Sequence, residues 1–422
     1  MELELISDNM DKQYHIKGRI VGWKKLEYRE PRYETRIEFI MEDNKVREDI
    51  IRYIFEEERL TRQKDNCMRN ILVVDDSALM RRVICDIINT DKQFQANDVC
   101  RDGLEAYERL KTTSYDAVIL DVNMPKMDGL QLLEKLQKDK IKATVIMVST
   151  LTTRDAQTTI LAMERGAVDF VPKPSNIIEA KGNPFKEQLL GVLKAVFETQ
   201  QNVHRMPDIK PVTGTQPVRT PARVSHNVSG DRLIALACST GGPKSLQSVI
   251  PFLPKEMNAP MVLVQHMPAG FTKTMADRLN EVSKVSVKEA QEGDVLQKGT
   301  VYIAPGGKHM LVKKMPGGGH KITLSDAAPI GGLKPCANVT YESLNDCAYD
   351  EIVCVILTGM GADGTQGIIE LQKHKKVHTI AQDAKSCVVY GMPKAIAEAG
   401  AADEIVPLTE IAQAIIKNVG VK

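Results

Sequence analysis

Residues 353–367, VCVILTGMGADGTQG, place an aspartate inside a glycine-rich turn between an apolar run and the start of a helix. Gly359, Gly361 and Gly364 fit the G-x-G-x-x-G spacing of a dinucleotide loop, and Asp383 follows where a ribose-binding acid would stand. A pyrophosphate, however, has to lie against bare backbone N–H groups at a helix N-terminus. A carboxylate roughly 4–5 Å away would repel it by about 3–4 kcal/mol at an effective dielectric of about 20. Asp363 therefore speaks against a phosphate cradle unless it turns away. A different chemistry uses it better. In ALACSTGGP, Ser239 sits at a strand-to-helix turn where Gly241 and Gly242 let the backbone bend; in VLVQHMP, His266 ends the next apolar run. A serine hydroxyl is a poor nucleophile until an imidazole takes its proton, and a carboxylate fixes the imidazole tautomer. Glycine turns also aim N–H groups where an oxyanion would form. Each residue has a plain alternative: Ser239 as a helix N-cap, His266 as a buried imidazole, Asp363 as a turn former.

A second constellation is acidic. Asp75 and Asp76 close one apolar run, NILVVDD, and Asp121 closes another, YDAVILDV. Three carboxylates at one sheet rim repel by several kcal/mol at an effective dielectric of about 20. A hard cation such as Mg²⁺ would hold them there. Ser149 after ATVIMV and Lys173 in VDFVPKP add a hydroxyl and an ammonium at the same rim. An acid that is to be phosphorylated needs this kit: a nucleophilic carboxylate, a metal, and donors for phosphoryl oxygens. Solvated strand-end acids are the alternative.

These residues require elements that bring chain-distant positions together. Over 68–200, five apolar or β-branched runs alternate with segments of helical periodicity such as ALMRRVICDIINT and GLQLLEKLQK. Five β-α units imply an α/β, doubly wound parallel sheet of flavodoxin type with its site at the carboxyl ends of the strands. Residues 201–229 carry Pro207, Pro211, Pro217 and Pro221 and few large apolar groups, which predicts a semi-extended linker. From 230 to 422 a second α/β pattern follows, with strands in RLIALAC, PMVLVQH, VYIAPG, IVCVILTG and VHTIAQD, and a glycine-tipped hairpin in HMLVKKMPGGGHKITLSD. It predicts a second doubly wound parallel sheet carrying the catalytic residues. Residues 1–66 form a small charged extension, with two strands expected over 15–41 and a basic amphipathic helix over 44–64.

Composition narrows the function. Lysine plus arginine, 56, balances aspartate plus glutamate, 55, so no global field recruits nucleic acid or an acidic membrane. The start MELELISDNM is acidic, without the apolar run of a secretory signal, and no stretch of about 18 apolar residues predicts a membrane span. Eight scattered cysteines with no C-x-x-C pair argue against a structural zinc or a disulfide framework and fit a reducing cytoplasm.

The motifs ILVVDDS, VILDVNMPKMDGL, MVST and FVPKP resemble the receiver domains of two-component response regulators. The resemblance implies Asp121 as phosphoacceptor, Mg²⁺ on Asp75, Asp76, Asp121 and the backbone of Asn123, Ser149 as switch hydroxyl, Lys173 as phosphate-binding amine, and a histidine kinase as phosphodonor. LACSTGGP, VQHMPAGFTKTMADRLN, YIAPGGKHM, ILTGMGADG and TIAQDAKSCVVYGMPKAIAEAG are similar to the catalytic domain of chemotaxis protein-glutamate methylesterases. That resemblance implies hydrolysis of γ-glutamyl methyl esters, and deamidation of selected glutamines, on the cytoplasmic helices of methyl-accepting chemoreceptors. Ser239 would be nucleophile, His266 base and Asp363 orienting acid, with the N–H groups of Thr240 and Met360 as oxyanion donors. The catalytic domain would need no cofactor, and a cytoplasmic monomer is expected.

Some residues depart from the family pattern. Ala237 and Cys238 precede the nucleophile where glycine and a small residue are usual, and Cys336 and Asn338 in LKPCANV stand where serine and aspartate are usual. The second departure bears on substrate positioning and favours the alternative of a phosphorylation-dependent receptor-binding module without turnover. Cys238 is a rival nucleophile, expected to be a buried inert thiol, and His309 in GGKHM is a rival base. The first 66 residues resemble the second half of a PilZ domain without its cyclic-di-GMP-gripping segments, so a truncated remnant or docking element is expected there, not nucleotide binding.

Overall fold

The computed structural model describes residues 2–5, 14–26, 32–40, 68–150, 152–174, 183–205 and 230–421. The chain divides into two compact units, 1–69 with 92–95, and 70–91 with 96–422. The described part of the first is an antiparallel sheet of β1 (Glu2–Leu5), β2 (Tyr14–Leu26) and β3 (Arg32–Ile40), with a register shift between Ile20 and Gly22. Strand β1 adds to the two strands expected; the expected helix over 44–64 lies outside the described residues.

The five-stranded sheet runs in the order β5 (Phe94–Cys100), β4 (Arg69–Val74), β6 (Ala117–Asp121), β7 (Val145–Ser149), β8 (Asp169–Pro172). In chain order this is 2-1-3-4-5, the flavodoxin-like arrangement. Its central strands are apolar and buried throughout because helices cover both faces. Those helices are α1 (Ala78–Ile88), α2 (Gly103–Thr112), α3 (Gly129–Lys138), α4 (Thr153–Glu164) and α5 (Asn183–Arg205). The first four start on side-chain caps from Ser77, Asp102, Asp128 and Thr152, which satisfy orphan N–H groups of the first turn. Helix α5 runs five residues into the stretch expected to be linker; 206–229 lie outside the described residues.

The seven-stranded sheet has the order β11 (Ser286–Glu289), β12 (Thr300–Ile303), β10 (Met261–Gln265), β9 (Arg232–Cys238), β15 (Glu351–Ile356), β16 (Lys376–Gln382), β17 (Glu404–Val406). All its pairs are parallel. Around it lie α6 (Gly242–Gln247), α7 (Phe271–Val282), α8 (Ala337–Glu342), α9 (Thr365–His374), α10 (Met392–Glu398) and α11 (Leu408–Val419). Hairpin β13 (His309–Lys314) with β14 (His320–Ser325) has its glycine tip at 317–319. The chain builds outward from β9 in one direction, then returns to build β15–β17 on the other side. The carboxyl ends of β10, β9 and β15 therefore flank the switch point, where open α/β sheets bind ligands.

Candidate active site

Ser239 follows β9, His266 follows β10 and Asp363 lies in the turn after β15, so three adjacent strands deliver the three residues to one rim. The His266 ring Nε2 lies 2.8 Å from Asp363 Oδ2, with both side chains nearly buried. The Nδ1 face of the imidazole is the one left for a proton acceptor role. Ser239 Oγ makes no hydrogen bond among the described residues; its backbone is fixed by Ser239 N–H donating to Thr358 O at 2.9 Å and by Gly242 N–H donating to Ser239 O at 2.7 Å. The backbone N–H groups of Thr240 and Met360 donate to no acceptor among the described residues.

The Asp363 carboxylate is heavily bound. Oδ2 accepts from Ala337 N–H at 2.6 Å, and Oδ1 accepts from Asn338 N–H and Gly364 N–H, each at 3.0 Å, and from the Cys336 thiol at 3.2 Å. Burial alone would raise its pKa; the His266 contact and the backbone donors outweigh burial and hold it down at about 2. It is thus a fixed anion in contact with the His266 ring. The residues of the unusual KPCANV segment are spent on this acid: Cys336 donates to it, and Asn338 binds the turn that carries it. His309, the rival base, is buried and engaged, with Nδ1 accepting from Cys336 N–H and Nε2 3.1 Å from Ala328 O.

Cys238 is buried, its thiol donating to Gln265 Oε1 at 3.0 Å, and burial pushes its pKa far up, so it is inert. Gln265 is a functional residue that the motifs did not reveal. Its Nε2 donates to Ser239 O at 3.0 Å and His266 O at 3.2 Å, pinning the two strand ends together. Its signal was a polar residue in an otherwise apolar run. Thr358 does the same from β15, its hydroxyl donating to Thr240 O at 2.9 Å and accepting from Val389 N–H. The glycine spacing now has another cause. A Cβ on Gly359 would lie 2.8 Å from Ser239 Cβ and 2.4 Å from Met392 Sδ, so the glycine admits the serine rather than a pyrophosphate. Asp383 Oδ1 accepts from Ser386 N–H at 3.0 Å, closing a local turn.

At the rim of the five-stranded sheet, Asp75, Asp76 and Asp121 offer oxygens within 4.8 Å of one another. Lys173 Nζ lies 2.7 Å from Asp75 Oδ2 and 2.8 Å from Asp121 Oδ2. Asp75 Oδ2 is buried, with no hydrogen bond aimed at it beyond that ion pair. A buried, under-coordinated oxygen among three carboxylates fits a hard divalent cation. Burial pushes the Asp121 carboxyl up to about 6, against the pull of Lys173 and with the push of Asp75. Arg81, also unmarked by the motifs, donates to the carbonyls of Asp75 at 2.7 Å and Asp76 at 3.0 Å and so fixes the acidic loop. A Cβ on Gly129 would meet Asp121 O at 2.3 Å, which sets how closely α3 approaches the acid. The Asn123 side chain donates to Asp155 Oδ1 at 2.6 Å. Ser149 Oγ is buried, donating to Thr150 O and accepting from Thr159 Oγ1 at 2.8 Å, so its hydroxyl is engaged away from Asp121.

The two sheets' helices touch within the second unit. The rings of Phe170 and Phe271 stack with centroids 4.5 Å apart, Arg278 of α7 clamps Glu164 of α4 through 2.7 and 3.0 Å bonds, and Thr199 of α5 accepts from Tyr390 N–H at 2.9 Å. Asp169 of β8 is buried, and the Thr240 side chain, next to the candidate nucleophile, helps to hold its pKa down against that burial. No helix among the described residues is long and apolar enough to cross a membrane.

Residues 234–415 match the family model described as CheB methylesterase, and 71–181 match the response regulator receiver domain. The chain is 41% identical over 349 residues to the protein-glutamate methylesterase/protein-glutamine glutaminase of Pyrococcus abyssi, covering 83% of this chain and 93% of that protein. It is 40% identical over 350 residues to the protein of the same name from Geobacillus kaustophilus, covering 83% of this chain and 98% of that one. The crystal structure of the Thermotoga maritima CheB methylesterase catalytic domain shares 41% identity, covering 45% of this chain and 99% of its own, with a TM-score of 0.43. With relatives matched over nearly their whole length and both domain models in place, the chain belongs to the family of chemotaxis protein-glutamate methylesterases/protein-glutamine glutaminases that carry a response regulator receiver domain.

Proposed function

We propose that this chain hydrolyses γ-methyl esters of glutamate side chains, and deamidates selected glutamines, on the cytoplasmic helices of chemoreceptors, and that phosphorylation of Asp121 switches this activity on. The observation that carries the chemistry is the His266 Nε2 contact to Asp363 at 2.8 Å, beside Ser239 on the neighbouring strand end. Ser239 Oγ attacks the ester carbonyl carbon as its proton passes to His266 Nδ1. The N–H groups of Thr240 and Met360 receive the oxyanion. His266 returns the proton to the departing methoxide, so methanol leaves and an acyl-serine remains. Water then adds, with His266 again taking and returning one proton, to release the glutamate carboxylate and restore the hydroxyl. With a glutamine side chain the leaving group is ammonia.

On the receiver, a histidine kinase donates the phosphoryl group to an Asp121 oxygen. Asp75, Asp76, Asp121 and the backbone of Asn123 are the residues that would hold Mg²⁺, which when bound neutralises charge on the phosphoryl oxygens. Lys173 binds a phosphoryl oxygen, and Ser149 turns from Thr159 toward the new phosphate. That movement loosens the contacts made by α4, β8 and α5 beside the catalytic rim, and the receptor helix gains access.

Methanol release from methylated receptor membranes, measured with and without a small-molecule phosphodonor, tests both halves. The expected stimulation is roughly 5- to 150-fold, the range of ordinary coupling energies, and Asp121→Asn should not respond. Receptor binding with no methanol under either condition would replace the enzyme by a binding module.

A further inference from the structure

We propose that Asn338 is the positioning residue of the catalytic acid, holding Asp363 in place through its side-chain oxygen and, being uncharged, leaving Asp363 the sole negative charge of that pocket among the described residues. The inference rests on the triad assignment above. The turn that carries Asp363 is intrinsically loose: Gly361 and Gly364 on either side have φ of 80° and 95°. What holds the carboxylate is the start of α8, whose Ala337 and Asn338 N–H groups point at it. Those donors are useful only if α8 is itself fixed to the turn. Asn338 makes that link. Its Oδ1 accepts from Gly364 N–H at 3.0 Å, a donor it shares with Asp363 Oδ1, and from Gly367 N–H at 2.7 Å, an otherwise orphaned donor in the first turn of α9. One residue therefore binds the acid through its backbone and the acid's turn through its side chain, closing a ring. The two helices touch backbone to backbone at this point, since a Cβ on Gly367 would lie 2.9 Å from Asn338 Cα. A shift of either helix would have to break the ring.

The charge half follows from the amide. A carboxylate at 338 would accept the same two N–H groups but would bring a second anion beside Asp363 and so near His266. The other titratable groups around the cluster do not supply that charge. Cys336 is pushed up to about 11 by burial, and the Tyr341 hydroxyl is buried and raised well above its ordinary value. His309 is held by Ala328 O and Cys336 N–H, Glu342 is exposed, and Glu370 turns to Lys373 and His374.

Two substitutions separate the halves: Asn338→Leu removes the acceptor at similar volume, and Asn338→Asp keeps the acceptor and adds the charge. Both are assayed in the full chain with phosphodonor and methylated receptor membranes. Asn338→Leu should lose about 10- to 100-fold in kcat with KM changed less than about 2-fold, the signature of a misplaced catalytic group rather than lost binding. Asn338→Asp should keep kcat within about 3-fold at high pH while the acid limb of its kcat/KM profile moves up by about 0.5–1 pH unit, because a nearby anion favours the imidazolium. A residue with only a structural role would lower thermal stability in both variants and leave that limb in place, which overturns the proposal. A parental kcat in Asn338→Leu overturns it too, and the Asp variant decides alone if the Leu variant does not fold. Ser239→Ala is run beside them: residual hydrolysis there marks a failure of the nucleophile assignment, whatever position 338 does.

Discussion

Asp363 carries its evidence in its surroundings: a buried carboxylate that accepts three backbone N–H groups and faces an imidazole stays charged. Its folded value near 2, against an ordinary 3.8, means that the folded state holds the ionised form more tightly than the unfolded chain does. The corresponding stability is fully present above about pH 4 and is lost as pH falls toward 2. At about 1.4 kcal/mol per unit this is about 2 kcal/mol. Asp363→Asn should therefore narrow the stability gap between pH 5 and pH 2 in acid-unfolding experiments and cut kcat by on the order of 10³-fold; an unchanged acid transition would contradict the depressed value. At this scale the sequence was generous. Ser239, His266 and Asp363 could be named as candidates because the proposed chemistry demands those residue types at strand ends. Gln265 and Thr358 were not, because their work consists of hydrogen bonds to backbone atoms of other strands, which no spacing along the chain encodes.

The turn 359–364 shows how an element can be legible in outline and ambiguous in purpose. Its glycines matched a nucleotide loop, yet Gly359 is there because Ser239 Cβ and Met392 Sδ leave no room for a side chain. Gly361, with φ of 80°, faces open space. Gly359→Ala should displace the serine and destabilise the fold by about 1–3 kcal/mol with a large loss of kcat. Gly361→Ala should cost only the left-handed backbone strain of about 1–2 kcal/mol and keep most activity. Equal losses in denaturant melts and turnover assays would sink this account of the turn. The central strands were legible from unbroken apolar runs, but edge strands β11 and β17 were not: SVKE and EIV are short and mostly only partly buried, and only pairing with β12 and β16 makes them strands. Helix α11 was not among the expected elements, although Ile411, Ala414, Ile415 and Val419 form an apolar stripe after Pro407.

For the whole molecule, the central question is how the receiver governs the esterase. Asp169 is pushed up to about 6 by burial, opposed by the Phe170 N–H and the Thr240 hydroxyl. If that burial comes from docking, the docked form holds a proton that the open form releases. Docking is then strongest below about pH 4, weakens as pH rises through 6, and above that carries the full penalty of a buried charge. Basal activity of the unphosphorylated chain should rise relative to the phosphodonor-stimulated activity between pH 5 and 7.5, and Asp169→Asn should flatten that rise; a parental profile in the variant would exclude Asp169 as part of the contact. That the receiver covers the catalytic rim is an expectation of the domain order; the residues that make the contact were not legible, because Phe170, Phe271, Glu164 and Arg278 look in sequence like ordinary core and surface residues of two separate sheets. The claim on which the rest depends is that Ser239 Oγ forms the new bond to the substrate carbonyl. Single-turnover hydrolysis of methylated receptor by Ser239→Ala, in the presence of phosphodonor, addresses it directly. Methanol release should fall at least about 10³-fold with receptor binding intact; release at a rate near the parent's would remove Ser239 as the nucleophile.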